Sequence, residues 1–217
     1  MVISNPKRVF WEALILTVVI FMLGLLIGIS FEERKLNEVS NYYSESDAFM
    51  MDLFAMNNLI QEGEVSCEML IDSSVNFADD IYHEAMLLEK YEDAGKVTDG
   101  MRILHKKYDT LRTLLWMNII DIKDECGGVQ SVIYLYNYDT KDLVEKATNT
   151  VWSKVLGDLK AVHEDIILIP IAVDSDLNSL NSLIEDYNIT SYPVVIVNEK
   201  HVIGELGTYE DVEEYLN

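Results

Sequence analysis

Apolar residues run almost without interruption from Val9 to Ile29, VFWEALILTVVIFMLGLLIGI, with Glu12 as the one charge. About 21 residues of this kind suffice to cross the hydrocarbon core of a bilayer as a helix, which predicts a membrane span over residues 9–30 behind a short tail, 1–8. Beyond it the apolar positions take up helical spacing. Leu36, Val39, Tyr43, Met50, Leu53 and Ile60 fall on one stripe, with Ser46 and Asn57 as polar interruptions. After a turn at Gly63, a second helix from about Ser66 carries Ile71, Val75, Ala78, Tyr82 and Ala85 on one face and stops near Gly95. Val97, Met101, Leu104, Tyr108, Leu111, Leu115, Asn118 and Ile122 then recur in alternating steps of four and three, as on a coiled-coil seam or bundle face. Leu114, Trp116, Met117 and Ile119 widen that apolar surface, for an internal core or for packing on the C-terminal part of the chain or a partner. Residues 31–126 therefore read as a helical hairpin or bundle, ended by Gly127 and Gly128.

From Val129 the period shortens. Val129 to Tyr136 is rich in β-branched and aromatic residues, as a buried strand requires. A helix is expected from about Thr140 to Val162. Ile166 to Val173 is continuously apolar and suits a parallel strand covered on both faces, with Pro170 at a bulge or an unpaired N–H. Asp174, Ser175 and Asp176 then start a helix with Leu177, Leu180, Leu183 and Ile184. Strands over Val194–Val197 and His201–Leu206, a break at Gly207 and a helix over Tyr209–Leu216 complete the order βαβαββα.

That order, with Tyr192-Pro193 leading into the third strand, resembles the minimal thioredoxin fold, and the similarity covers residues 129–217. The stretch Tyr187 to Gly207 looks like the cis-proline strand, hairpin and glycine of that superfamily. The resemblance implies an α/β thioredoxin-like C-terminal domain behind the helical region and the N-terminal membrane helix. In active members the turn after the first strand presents Cys-x-x-Cys at a helix N-terminus, where the dipole favours a thiolate. Here Asp139-Thr140-Lys141-Asp142 stands in that place, so dithiol exchange by that mechanism lacks its nucleophile. Thr140 reads as a helix cap. What the resemblance still implies is a peptide-binding surface: the backbone of Ser191, Tyr192 and Pro193, with Tyr136 and Tyr138 beside it as an aromatic floor. The alternative for those tyrosines is ordinary strand and turn packing.

Charge narrows the partners. Residues 1–30 hold Lys7, Arg8 and Glu12, so the overall −22 leaves −23 on the remainder. A surface that acidic repels nucleic acid and anionic headgroups, and it serves solubility or cationic partners. Lys7 and Arg8 before the span, against Glu32 and Glu33 directly after it, predict a cytoplasmic N-terminus and an extracytoplasmic C-terminal part. A cleaved signal peptide is the rival reading, opposed by the length of the apolar run and by the absence of a small-x-small site after it.

The two cysteines, Cys67 and Cys126, are too far apart in sequence for a Cys-x-x-Cys or a zinc knuckle. They are expected to form a disulfide joining adjacent ends of the hairpin, with two buried thiols or a reactive pair as alternatives. Asp79, Asp80, His83 and Glu84 read as a solvated acidic face, His163-Glu164-Asp165 as a polar turn, and no metal or cofactor is expected. Asn188-Ile189-Thr190 is a glycosylation acceptor. The functional expectation is a membrane-anchored, redox-inactive binding or scaffolding module with a protein or peptide partner. The alternatives are a membrane-tethered thiol oxidoreductase using Cys67 and Cys126, and a stalk that homo-oligomerises through the helical region.

Overall fold

The computed structural model describes residues 6–61, 66–93 and 99–216. The chain divides into two compact units, residues 1–41 and 42–217, and its first helix, α1 (Pro6–Gln61), contributes to both. In the first unit the stretch Arg8–Ser30 has a mean hydropathy of 2.8 and buries none of its side chains, so this one helix is long and apolar enough to cross a membrane. Three of its polar side chains bond within the helix. Arg8 Nε pairs with Glu12 one turn on, at 3.0 Å, and Thr17 Oγ1 donates to the Ala13 carbonyl at 2.9 Å.

In the second unit the rest of α1 packs with α2 (Cys67–Asp93) and α3 (Asp99–Cys126). Met50 and Leu53 of α1 are buried, as the stripe predicts, and so are the two polar interruptions. Ser46 Oγ donates to Glu84 Oε2 at 2.8 Å, and Asn57 Nδ2 donates to Asn118 Oδ1 at 3.2 Å. Gly63, Gly95 and Val97 lie outside the described residues, as do the side chains of Leu36, Val39, Ile60 and Met101.

The buried face of α2 is rotated from the expected one, of which Ala78 alone is fully buried. Leu70, Ser74, Phe77, Ala78 and Ile81 are buried, while Ile71, Val75, Tyr82 and Ala85 are half-buried at its flanks. The apolar residues of α2 fit either stripe, and size decides between them: Phe77, 2 % exposed, stacks on Phe49 at 5.2 Å and takes the centre. Along α3 the expected Leu104, Tyr108, Leu111, Leu115, Asn118 and Ile122 are all buried, and so are Asp109, Arg112, Thr113, Trp116 and Ile119. This helix is thus enclosed on most sides. Trp116 stacks on Tyr187 at 5.4 Å, so the widened surface of α3 faces the C-terminal part of the chain. Met117 stays 40 % exposed.

A disulfide joins Cys67 to Cys126, the start of α2 to the end of α3, with the Cα atoms 5.6 Å apart. Gly127 and Gly128, at φ +66° and +72°, then turn the chain back through backbone that other residues adopt only under strain.

The remainder builds a four-stranded sheet from β1 (Ser131–Tyr136), β2 (Ile167–Ala172), β3 (Val194–Val197) and β4 (His201–Ile203), in the order β2-β1-β3-β4. β1 runs parallel to β2 and antiparallel to β3, and β3 runs antiparallel to β4. On one face Val132, Tyr134, Val195 and Val197 meet Trp152, Leu156 and Leu159 of α4 (Leu143–Val162) and Val212 of α6 (Tyr209–Glu213) in one buried cluster. Alternate residues Ile133, Leu135, Ile169, Ile171 and Ile196 are buried as well, on the opposite face, and α3 packs across β2. The fold is mostly helical with a small mixed sheet.

Pro170 stands in an edge strand, bonded on one side only to β1, where a missing N–H is tolerated. Two C-terminal elements are shorter than expected. β4 ends at Ile203 instead of Leu206, and α6 at Glu213 instead of Leu216. Asp211 Oδ2 accepts from the Thr208 N–H at 2.7 Å and caps the start of α6, while at its end the Tyr215 and Leu216 N–H groups bond three residues back, to Val212 and Glu213, as a turn and not as α-helix. A Cβ on Gly207 would lie 2.6 Å from Asp211 Oδ2, which explains the glycine.

Candidate functional site

The turn Asn137–Asp142 leaves the C-terminal end of β1, and Ser191–Pro193 leads into the N-terminal end of β3. Because Leu135 pairs with Val194, both segments lie at the same end of the sheet. The Tyr192–Pro193 peptide is cis. Ser191 is exposed, and Tyr192 and Pro193 are half-buried.

Side chains hold the 137–142 turn from three directions. Asp174 accepts the N–H groups of Tyr138 and Asp139 at 3.0 and 2.7 Å. Glu145 accepts from Asn137 Nδ2 at 2.6 Å and from Thr140 Oγ1 at 2.5 Å. Arg102 of α3 reaches Asp139 at 3.5 Å. Thr140 is not the helix cap. Asp142 is, accepting from the N–H groups of Val144 and Glu145, because α4 starts at Leu143 and a carboxylate at this position satisfies donors that the helix leaves unpaired.

The later helix start changes what the site presents. Leu143 lies nine residues before the buried Trp152, about half a turn round the helix at 100° per residue, and so faces away from the sheet. It is 82 % exposed and Val144 is 74 % exposed, the two most exposed large apolar side chains in the described residues. Sequence reasoning missed this pair. The signal that could have found it is two adjacent aliphatics in the first turn of an amphipathic helix, ahead of the stripe that packs on the sheet.

The expected aromatic floor is divided between two neighbours. Tyr136 stacks on Tyr134 at 5.1 Å, on the α4 side of the sheet, whereas Tyr138 lies against His105 of α3 at 4.1 Å. His105 thus has a ring partner that the sequence did not reveal, as has His201, which packs against Tyr215 at 4.8 Å. His163 Nε2 meets Glu213 at 2.8 Å, more than a polar turn alone provides.

Behind the turn stands a buried carboxylate that sequence reasoning also missed. Asp109 of α3 is 1 % exposed. It accepts from the Ala172 N–H at 3.1 Å and from Ser175 Oγ, and it faces Arg112 Nη1 at 3.6 Å. Burial pushes its carboxyl upward, while Arg112, the two hydrogen bonds and His105 pull it down. Through these bonds Asp109 fixes the 3-10 turn Val173–Ser175, and that turn places Asp174 under Tyr138 and Asp139. Asp174 was expected only to start a helix. Instead α5 (Asn178–Asp186) begins four residues later, and Asp174 links α3 to the candidate site.

The remaining sequence candidates have separate roles. Asp79 pairs with Lys160 at 2.9 Å, and Glu84 accepts from Ser46 and Tyr108. Among the described residues no three His, Cys, Asp or Glu side chains are grouped so as to hold a metal ion. Asn188 is exposed just after α5, with φ 53°. Searches of protein-family models, curated proteins and solved structures give no match to this chain.

Proposed function

We propose that this is a single-span membrane protein whose residues 129–217 are a thioredoxin-like unit without thiol chemistry, retained to bind a protein or peptide outside the cytoplasm. The observation that carries the reading is the exposed pair Leu143 and Val144 in the first turn of α4, directly after a turn held by Asp174, Glu145 and Arg102. A helix start that displays apolar side chains behind a fixed turn lowers the entropy cost of docking a partner's apolar residue there. The strand order β2-β1-β3-β4 and the position of Pro193 directly before β3 support the thioredoxin-like part of the proposal. In the place of its redox pair stand Asp139-Thr140-Lys141-Asp142, and Cys67 and Cys126 are joined to each other. The disulfide together with the charge pattern around the span supports an extracytoplasmic location.

The test is binding. Leu143→Asp with Val144→Asp alters only exposed positions, so stability moves by about 0.5 kcal/mol or less. Association with the partner in native membranes falls at least about tenfold, the loss that 1.4 kcal/mol produces. Unchanged association sinks the proposal.

A further inference from the structure

Near the end of α3 a lysine is held against the turn between β3 and β4. Lys123 Nζ donates to Ser131 Oγ at 3.0 Å, to Asn198 Oδ1 at 3.2 Å and to Glu199 Oε2. Glu199 Oε1 in turn accepts from Ser131 Oγ at 2.7 Å. The Asn198 carboxamide is fixed at both ends. Its Oδ1 also accepts the Ser131 N–H at 3.1 Å, and its Nδ2 donates to the Tyr215 and Leu216 carbonyls at 3.0 and 3.3 Å. The Lys123 and Glu199 side chains are 18 % and 10 % exposed, and Ser131 is fully buried. Asn198 and Glu199 both lie in the left-handed region, at φ 54° and 55°, which Asn tolerates and Glu adopts only under strain. Strain of this kind persists where side chains over-determine it, and it clusters at reacting sites.

An amine, a carboxamide and a carboxylate in mutual contact are the parts of an amide-forming reaction. The cluster is too enclosed to admit a substrate from outside, so the reactants are the chain's own. We propose that Lys123 and Asn198 join through their side chains in an isopeptide bond, with Glu199 as the proton carrier. Asn198 Cγ lies one C=O bond, about 1.2 Å, beyond the oxygen that Lys123 already touches, so Nζ needs only a short approach. Glu199 takes a proton from the Nζ ammonium, and the freed amine bonds to Cγ. The Ser131 N–H stabilises the charge that then develops on Oδ1. Nζ gives up a second proton, Glu199 carries both to Nδ2, the Cγ–Nδ2 bond breaks, and the nitrogen leaves as ammonium. No oxidant or reductant takes part. The bond ties α3 to the β3–β4 turn three residues before Cys126, so two covalent links meet at this end of the helix. Neither Leu143 nor Val144 is involved, and the bond stands whether or not they meet a partner.

The test is mass spectrometry of the full-length protein, purified in nonionic detergent micelles and held at neutral pH until its mass is constant. After reduction of the disulfide the intact chain is lighter than its sequence by one ammonia. Trypsin no longer cuts after Lys123, and the digest contains a branched peptide joining residues 113–141 to residues 161–200, with fragment ions that place the link between Lys123 and Asn198. Lys123→Arg and Asn198→Ala give no branched peptide. Glu199→Gln keeps an acceptor in the turn but carries no proton, and it slows the linkage about a hundredfold or more. A parent chain of full sequence mass that trypsin cuts after Lys123 overturns the proposal. So does a link from Lys123 to Glu199, recognised by loss of water in place of ammonia, or linkage at the parent's rate in Glu199→Gln.

Discussion

Glu84 receives two hydrogen bonds on one oxygen, from Ser46 of α1 at 2.8 Å and from Tyr108 of α3 at 3.0 Å, and so ties three helices together. Burial raises its carboxyl above the ordinary 4.5, the two hydrogen bonds pull it back, and Asp80 and Glu45 push it up again. A raised value in the folded state means that folding favours the protonated acid. The associated stability is complete below the unfolded value and is lost as pH rises through the folded one. Glu84→Gln keeps an acceptor for both donors and removes the charge. That variant melts higher than the parent at about pH 7.5, and the gap closes toward about pH 4.5; a gap independent of pH contradicts this account of Glu84. Asp109 behaves oppositely on truncation. Asp109→Ala leaves the Arg112 guanidinium and the Ala172 N–H buried without their acceptor, a loss of about 3 kcal/mol or more in urea unfolding followed by tryptophan fluorescence. A loss below about 1 kcal/mol means that the buried pair holds nothing together.

Among the elements, the pairing of α2 with α3 depends on a crosslink between residues 59 apart in sequence. Closing a loop of that length removes about 4 kcal/mol of chain entropy from the unfolded state in the entropic model. Cys126→Ser therefore lowers stability by about that amount, and reductant lowers the parent to the level of the variant while leaving the variant unchanged. How far the elements are legible in the sequence depends on what fixes them. The seam of α3 is readable because its apolar spacing alone determines what is buried, and Leu104 to Ile122 lie where the pattern puts them. The face of α2 is not, because two stripes fit the sequence and its packing on α3, on β2 and on Phe49 of α1 chooses between them. The start of α4 depends on which of two neighbouring oxygens, Thr140 Oγ1 or the Asp142 carboxylate, meets the helix donors, a choice made by Glu145 capturing Thr140. That shift exposes Leu143 and Val144, so an error of three residues in a helix start conceals the apolar part of the site. Asp109 was unreadable for another reason: its partners Ala172 and Ser175 lie more than 60 residues away in sequence.

At the scale of the whole chain, one helix able to cross a membrane precedes a unit that carries nearly all of the negative charge. With the N-terminus cytoplasmic, protease added to the outside of sealed right-side-out vesicles degrades residues 42–217 and spares the N-terminal tail. Protection of that unit until the vesicles are opened reverses the proposed orientation. The α3–Asp109–Asp174 connection makes the exposed end of α4 a fixed surface, and the central claim is that this surface binds and performs no thiol chemistry. A photoreactive side chain placed at Leu143 in native membranes tests that claim most directly, with the exposed Val151 further along α4 as the control position. The account predicts a discrete protein adduct from position 143, absent from position 151 and lost with Val144→Asp; no adduct, or the same adducts from both positions, contradicts it.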